Sequence, residues 1–153
     1  MLTKLKLCTV VFGVVFTSLQ IVQPATKAAS TASVDPSRLE KVADVEVASI
    51  LDRSCKDCHS NQTEWPWYSH IAPVSWIISN HVTRGRAKLN FSDWAAGTQT
   101  ANQLEEICDA VSDGSMPISG YTLLHRNAKL ARHDIDVICD WANTRMARQQ
   151  PLH

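Results

Sequence analysis

The chain has 153 residues, and its fifteen basic side chains are balanced by fifteen acidic ones. A neutral chain of this kind offers no electrostatic footprint for nucleic acid. With an N-terminal leader set aside, about 120 residues remain, enough for one domain around a single core.

The leader is read from residues 1–30. Lys4 and Lys6 form a basic start, an apolar run covers 7–22, and small residues gather over 25–32. That is the layout of a secretory signal peptide. Thr9, Gly13, Thr17, Ser18 and Gln20 interrupt the apolar run, which falls short of the ~20 predominantly apolar residues that a stable membrane span needs. Cleavage between 28 and 32 is therefore expected, with an uncleaved membrane anchor as the competing reading. Cys8 leaves with the signal. Loss of Lys4, Lys6 and Lys27 takes the mature domain to a charge near −3. Residues 31–37 are small and polar and read as a flexible leader, and the domain proper runs from 38 to 148.

Between 38 and 53, Val42, Val45, Val47, Ala48, Ile50 and Leu51 are spaced for an amphipathic helix. That helix runs into Cys55-Lys56-Asp57-Cys58-His59. Cys-x-x-Cys-His is the pattern of covalent c-type haem attachment. On a helical turn the two thiols project from one side, so each sulfur reaches one vinyl group of a single porphyrin. His59 then stands beneath the iron as proximal ligand. A thioredoxin-like redox pair needs βαβ surroundings, which the flanks lack. Zinc needs two more ligands at finger-like spacing, and Cys108 and Cys139 lie far apart. A chance match suits a cytosolic chain, whereas covalent haem attachment in bacteria takes place outside the cytoplasm, in accord with an export signal.

After His59 a polar turn leads to Trp65-Pro66-Trp67-Tyr68, with Pro73 and Trp76 close behind. Two prolines exclude one regular helix, so a wrapped loop is expected. Trp65, Trp67 and Trp76 are candidate walls of a porphyrin crevice, with an indole N–H able to bond a propionate; plain core filling is the alternative for each. From 74 to 84, Val74, Ile77, Ile78 and Val82 recur at helical spacing, and His81 shares their face. His81 is either an alternative sixth ligand or a core histidine bonded to a backbone carbonyl. Arg84-Gly85-Arg86-Ala87-Lys88 is a basic patch suited to propionates or an acidic partner, or else a solvated helix end.

Asn90 and Ser92 are potential N-caps of a short turn or helix over 90–94, with Gly97 as a stop. A helix over 101–112 carries Leu104, Ile107, Cys108 and Val111 on one face and ends near Gly114. Met116-Pro117 follows. A thioether is a soft, neutral ligand for haem iron, and the proline prevents helical continuation, which makes Met116 the candidate distal ligand. Filling a core gap is the alternative for Met116, and Met146 is a poorer rival. A last helix over 133–147 presents Ile135, Ile138, Cys139 and Ala142 on one face, with Trp141 beside it. Cys108 and Cys139 either form a disulfide, as an oxidising compartment permits, or remain buried free thiols. His125 and His133 lie in polar surroundings and read as surface residues.

The chain resembles a family of small exported haem-binding domains with cytochrome c character. The resemblance spans Val45 to Trp141. It rests on Cys55-Lys56-Asp57-Cys58-His59-Ser60-Asn61, Trp65-Pro66-Trp67-Tyr68, Ala72-Pro73-Val74-Ser75-Trp76, Asn90-Phe91-Ser92-Asp93-Trp94, and Met116-Pro117 with Tyr121-Thr122-Leu123. It implies an all-α, cytochrome c-like domain wrapped around one covalently attached haem c. On this reading the protein is a single-haem periplasmic electron carrier and not an enzyme. Cys55 and Cys58 hold the haem, His59 and Met116 hold its iron, and the partners are other redox proteins. The alternative is a haem-based sensor, gas-binding module or weak peroxidase with an open or labile sixth site. A third reading is a structural domain within a larger respiratory or oxidase assembly. Membrane contact is expected only if the N-terminal segment is retained as an anchor.

Overall fold

In a computed structural model of the protein, residues 2–22, 43–94 and 99–149 are described. Among these residues the backbone forms seven α-helices, three 3-10 turns and no strand, in line with the all-α expectation. The helices are α1 (Leu2–Leu19), α2 (Val45–Ser54), α3 (Lys56–His59), α4 (Val74–Lys88), α5 (Ala101–Ser112), α6 (Ser119–Leu124) and α7 (Arg132–Gln149). The 3-10 turns span Trp67–His70, Phe91–Asp93 and Arg126–Ala128. The cleavage region, the 31–37 leader, the start of the first expected domain helix and Gly97 lie outside the described residues.

Helix α1 is exposed from Thr3 to Ser18. Among the described residues no helix is long and apolar enough to cross a membrane. At its C-terminal end, the Gln20 side chain accepts from the Ala72 N–H (3.0 Å) and donates to the Ala72 carbonyl (3.3 Å). The Trp76 indole donates to the Val22 carbonyl at 2.7 Å.

The core is built where the apolar stripes of α2, α5 and α7 meet. Val47, Ile50 and Leu51 come from α2, Leu104, Ile107 and Val111 from α5, and Ile138, Trp141 and Ala142 from α7. Phe91 and Trp94 close it, their rings 4.8 Å apart, and Trp94 lies 6.2 Å from Trp141. Helix α5 starts with a capping box, Thr100 and Gln103 each serving the other's backbone N–H, and stops where Gly114 takes a positive φ of 74°. Cys108 and Cys139 face each other along α5 and α7 and are disulfide-bonded, with Cα atoms 4.9 Å apart. The Arg53 guanidinium pairs with Asp134 at 2.7 Å and donates to the Asn127 carbonyl at 2.8 Å, tying α2 to the start of α7.

Two elements depart from the sequence expectation. Helix α4 continues past Arg84 to Lys88, because Gly85 sits inside it as a packing residue and not as a terminator. Helix α6 was not expected at all; its six residues are too few to display a repeating apolar face.

The disulfide closes a separation of 31 residues, so Cys108→Ser/Cys139→Ser is expected to lose roughly 3–4 kcal/mol in denaturant unfolding, matched by the wild type under reductant. A second expectation concerns acid. Burial works to raise the Asp134 carboxyl, yet the bonds from Arg53 and the Ala131 N–H outweigh it and hold the group below its ordinary value. Its contribution is complete above the ordinary carboxyl pKa of about 4 and is lost as pH falls through the lower folded value. Unfolding measured on either side of that window should show a smaller acid loss in Asp134→Asn than in the wild type.

Candidate haem site

The site begins where α2 ends. Cys55 still donates its N–H to the Leu51 carbonyl (3.0 Å), but its backbone (φ −127°, ψ −32°) breaks the helical run. One further turn, α3, restarts on the Cys55 carbonyl, which accepts from Cys58 N–H (3.2 Å) and His59 N–H (3.0 Å). Both cysteines carry free thiols and are half-buried. Burial, with each group's neighbouring negative charge, pushes the Cys55 thiol up to about 12 and the Cys58 thiol up to about 11. A thioredoxin-like pair would need βαβ surroundings, and among the described residues there is no strand. Among the described residues no three His, Cys, Asp or Glu side chains converge as a metal cluster, so the zinc alternative finds no ligand set there.

His59 is held from three sides. Its Nδ1 lies 3.1 Å from the Leu89 carbonyl, an acceptor, so Nδ1 carries the proton and the lone pair is on Nε2. The ring packs at 6.0 Å on Phe91, which joins it to the core. Burial lowers its pKa, opposed by backbone bonds to Leu89 and Gly85 and assisted by Lys88, which favours the neutral, ligating form.

Helix α4 lies directly on the attachment turn. A Cβ placed on Gly85 would stand 2.6 Å from the Cys58 carbonyl oxygen, so only glycine allows the two backbones to meet there. One residue on, Arg86 donates to the Ser60 carbonyl (2.7 Å) and the Thr63 hydroxyl (2.8 Å), pinning the chain just past His59. The expected basic patch therefore divides: Arg86 turns inward, Lys88 pairs with Glu106 at 3.6 Å, and Arg84 stands exposed at the cavity rim.

Three adjoining, mostly apolar cavities surround the turn. The central one, about 250 Å³, is bordered by Cys55, Cys58, His59, His81 and Met116. A second, about 140 Å³, shares Cys55, His59 and Met116 and runs towards Leu51, Phe91 and Ile107. A third, about 200 Å³, shares Cys58 and His81 and runs past Trp65 towards Val74 and Leu124. Adjoining apolar clefts with a few polar groups at their edges are the usual setting of a cofactor. Among the tryptophans expected to wall a porphyrin, Trp65 borders the third cavity. Trp67 is 75% exposed and borders none of the three, and Trp76 is turned to the Val22 carbonyl. The proline before Trp67 starts a 3-10 turn that faces its indole outward.

Sequence reading placed Gly85 and Arg86 only within a basic patch, and it missed two contributors altogether: the Leu89 carbonyl and a polar cluster around Asp57. Asp57 Oδ2 accepts from the Tyr121 hydroxyl (2.8 Å) and Oδ1 from the Glu64 N–H (3.1 Å). Tyr121 stacks on His125 at 4.3 Å, and His125 Nε2 lies 2.7 Å from the Tyr68 hydroxyl. His125 is thus half-buried and bonded, contrary to its surface reading, whereas His133 is exposed beside Glu46.

The residues fit a covalently held porphyrin: two thiols and an imidazole donor share one cavity with a thioether. Gly85→Ala tests the packing beneath it. The displaced turn is expected to cost about 1–3 kcal/mol of stability. Covalent haem per protein, measured on denatured material, is expected to fall in parallel.

The model of a haem-binding domain family matches residues 14–144, most of the chain. Neither the curated proteins nor the solved structures contain a match to it. A family match of this extent places the chain in the haem-binding domain family.

Proposed function

We propose that the protein is a c-type haem electron carrier, exported to the periplasm and carrying one haem. Cys55 and Cys58 hold the porphyrin by two thioethers, His59 Nε2 is the proximal donor, and Met116 is the distal one. The observation that carries this reading is that both thiols, the imidazole and the Met116 side chain border a single cavity. When bound, the haem supplies a one-electron ferric/ferrous couple. The chain's own residues set its poise. The Leu89 carbonyl orients His59 and strengthens it as a donor, and a thioether opposite favours the ferrous state. No substrate has to reach the metal, so the partners are redox proteins that dock at the haem edge, not nucleic acid, and the protein is not an enzyme. Membrane contact, if present, runs through α1.

A second reading has its own support. Met116 is 38% exposed and His81 borders the same cavity, so a sixth site that opens fits a haem-based sensor, gas-binding module or weak peroxidase.

The two readings separate in the optical and near-infrared spectrum of the purified oxidised protein. A weak sulfur-to-iron charge-transfer band is expected, and Met116→Ala should abolish it. An unchanged spectrum in that variant takes Met116 off the iron and leaves the position to His81 or to added carbon monoxide.

A further inference from the structure

Met116 sits on a short span whose two ends are held very differently. At the near end, the Met116 N–H and the Ser115 hydroxyl both donate to the Ala110 carbonyl, at 2.9 and 3.2 Å, and the Ser115 N–H donates to Asp113 at 2.8 Å. These bonds fasten the span to the end of α5. The far end begins α6, and five residues past Met116 the Tyr121 hydroxyl donates to Asp57 Oδ2 at 2.8 Å. Asp57 lies between the two attachment cysteines. That bond therefore joins the span bearing the distal donor to the turn bearing the covalent and proximal ones.

Both partners are braced. Asp57 Oδ1 takes the Glu64 N–H and the Asp57 carbonyl takes the Thr63 hydroxyl, so its carboxylate is aimed by the loop after His59. Tyr121 lies nearly parallel to His125, at an interplanar angle of 15°, and its ring borders the central cavity. A carboxylate acceptor makes this a charge-assisted bond.

We infer that Tyr121 is a positioning residue: its bond to Asp57 latches the Met116 span over the cavity and keeps the thioether opposite His59. The inference rests on the proposed His59/Met116 ligation. Strength at the sixth position then depends on a hydrogen bond outside the iron's ligand set, and the latch decides whether the site behaves as closed or open.

The experiment compares Tyr121→Phe with Tyr68→Phe in the full-length holoprotein, with Met116→Ala alongside. Tyr121→Phe keeps the stack on His125 and deletes the latch. Tyr68→Phe deletes the neighbouring bond to His125 and leaves the latch intact. The readouts are the sulfur-to-iron band of the oxidised protein and carbon monoxide binding by the reduced protein. Tyr121→Phe is expected to weaken the band and raise carbon monoxide affinity roughly ten- to a hundredfold, the worth of one hydrogen bond to a charged group, while Tyr68→Phe changes neither. Asp57→Ala should reproduce the effect, and the double variant should add nothing to it. A band and affinity unchanged in Tyr121→Phe but altered in Met116→Ala overturns the latch and leaves the ligation standing. Equal effects from the two tyrosine variants, or additive effects in the double variant, also overturn it. A wild type without the band removes the ligation, and the latch with it.

Discussion

The close approach of α4 to the attachment turn is the constraint on which the site depends. At Gly85 the α4 backbone comes so near the Cys58 carbonyl that no side chain fits between them. The hydrogen bonds that hold His59 and the chain just past it depend on that contact. Helix α4 ends three residues later at Lys88, the Leu89 carbonyl just past it meets Nδ1, and Arg86 is carried into reach of the Ser60 carbonyl and the Thr63 hydroxyl. A helix set further away by one methyl group would carry all three contacts with it. Packing in protein interiors is dense enough that such a shift is felt beyond the point of contact.

The site is joined to the rest of the molecule through two routes of unequal character. One is apolar: His59 rests on Phe91, and Phe91 with Trp94 and Trp141 belongs to the core between α2, α5 and α7. The disulfide between α5 and α7 stiffens that side. The other is polar, running from Asp57 through Tyr121 and His125 to Tyr68. The proximal donor is thus seated on the rigid part of the fold. Met116 hangs from the end of α5 and returns to the turn by way of the polar route. On the proposed ligation, the His59 side would be held by the core and the Met116 side by a single hydrogen bond, the physical setting in which electron carriers and ligand-binding haem proteins diverge.

Much of the fold was legible in the chain itself. Leu104, Ile107 and Val111 at helical spacing, with Gly114 after them, define α5 almost to the residue, because periodicity and a terminating glycine act over one or two turns. The same holds for α7 and for the capped turn at Phe91–Asp93. Helix α6 escaped notice because it is shorter than two periods. The tryptophans misled for a different reason: an aromatic cluster next to a motif signals packing, but local sequence does not say against what. Trp65 borders a cavity, Trp67 faces solvent, and the aromatic rings of the core are Phe91, Trp94 and Trp141.

Sequence by itself supplied the candidate donors, since Cys55, Cys58 and His59 are neighbours in one short motif. It also singled out Met116 by its thioether and the proline after it. Only the tertiary structure decided how those donors are held. The acceptor for His59 is a main-chain carbonyl thirty residues away, the space for the turn is a missing side chain on another helix, and the span carrying Met116 is tied back by a tyrosine whose partner lies 64 residues earlier. Backbone carbonyls and absent atoms leave no mark in composition or spacing, and long-range pairs acquire meaning only when the chain has closed on itself.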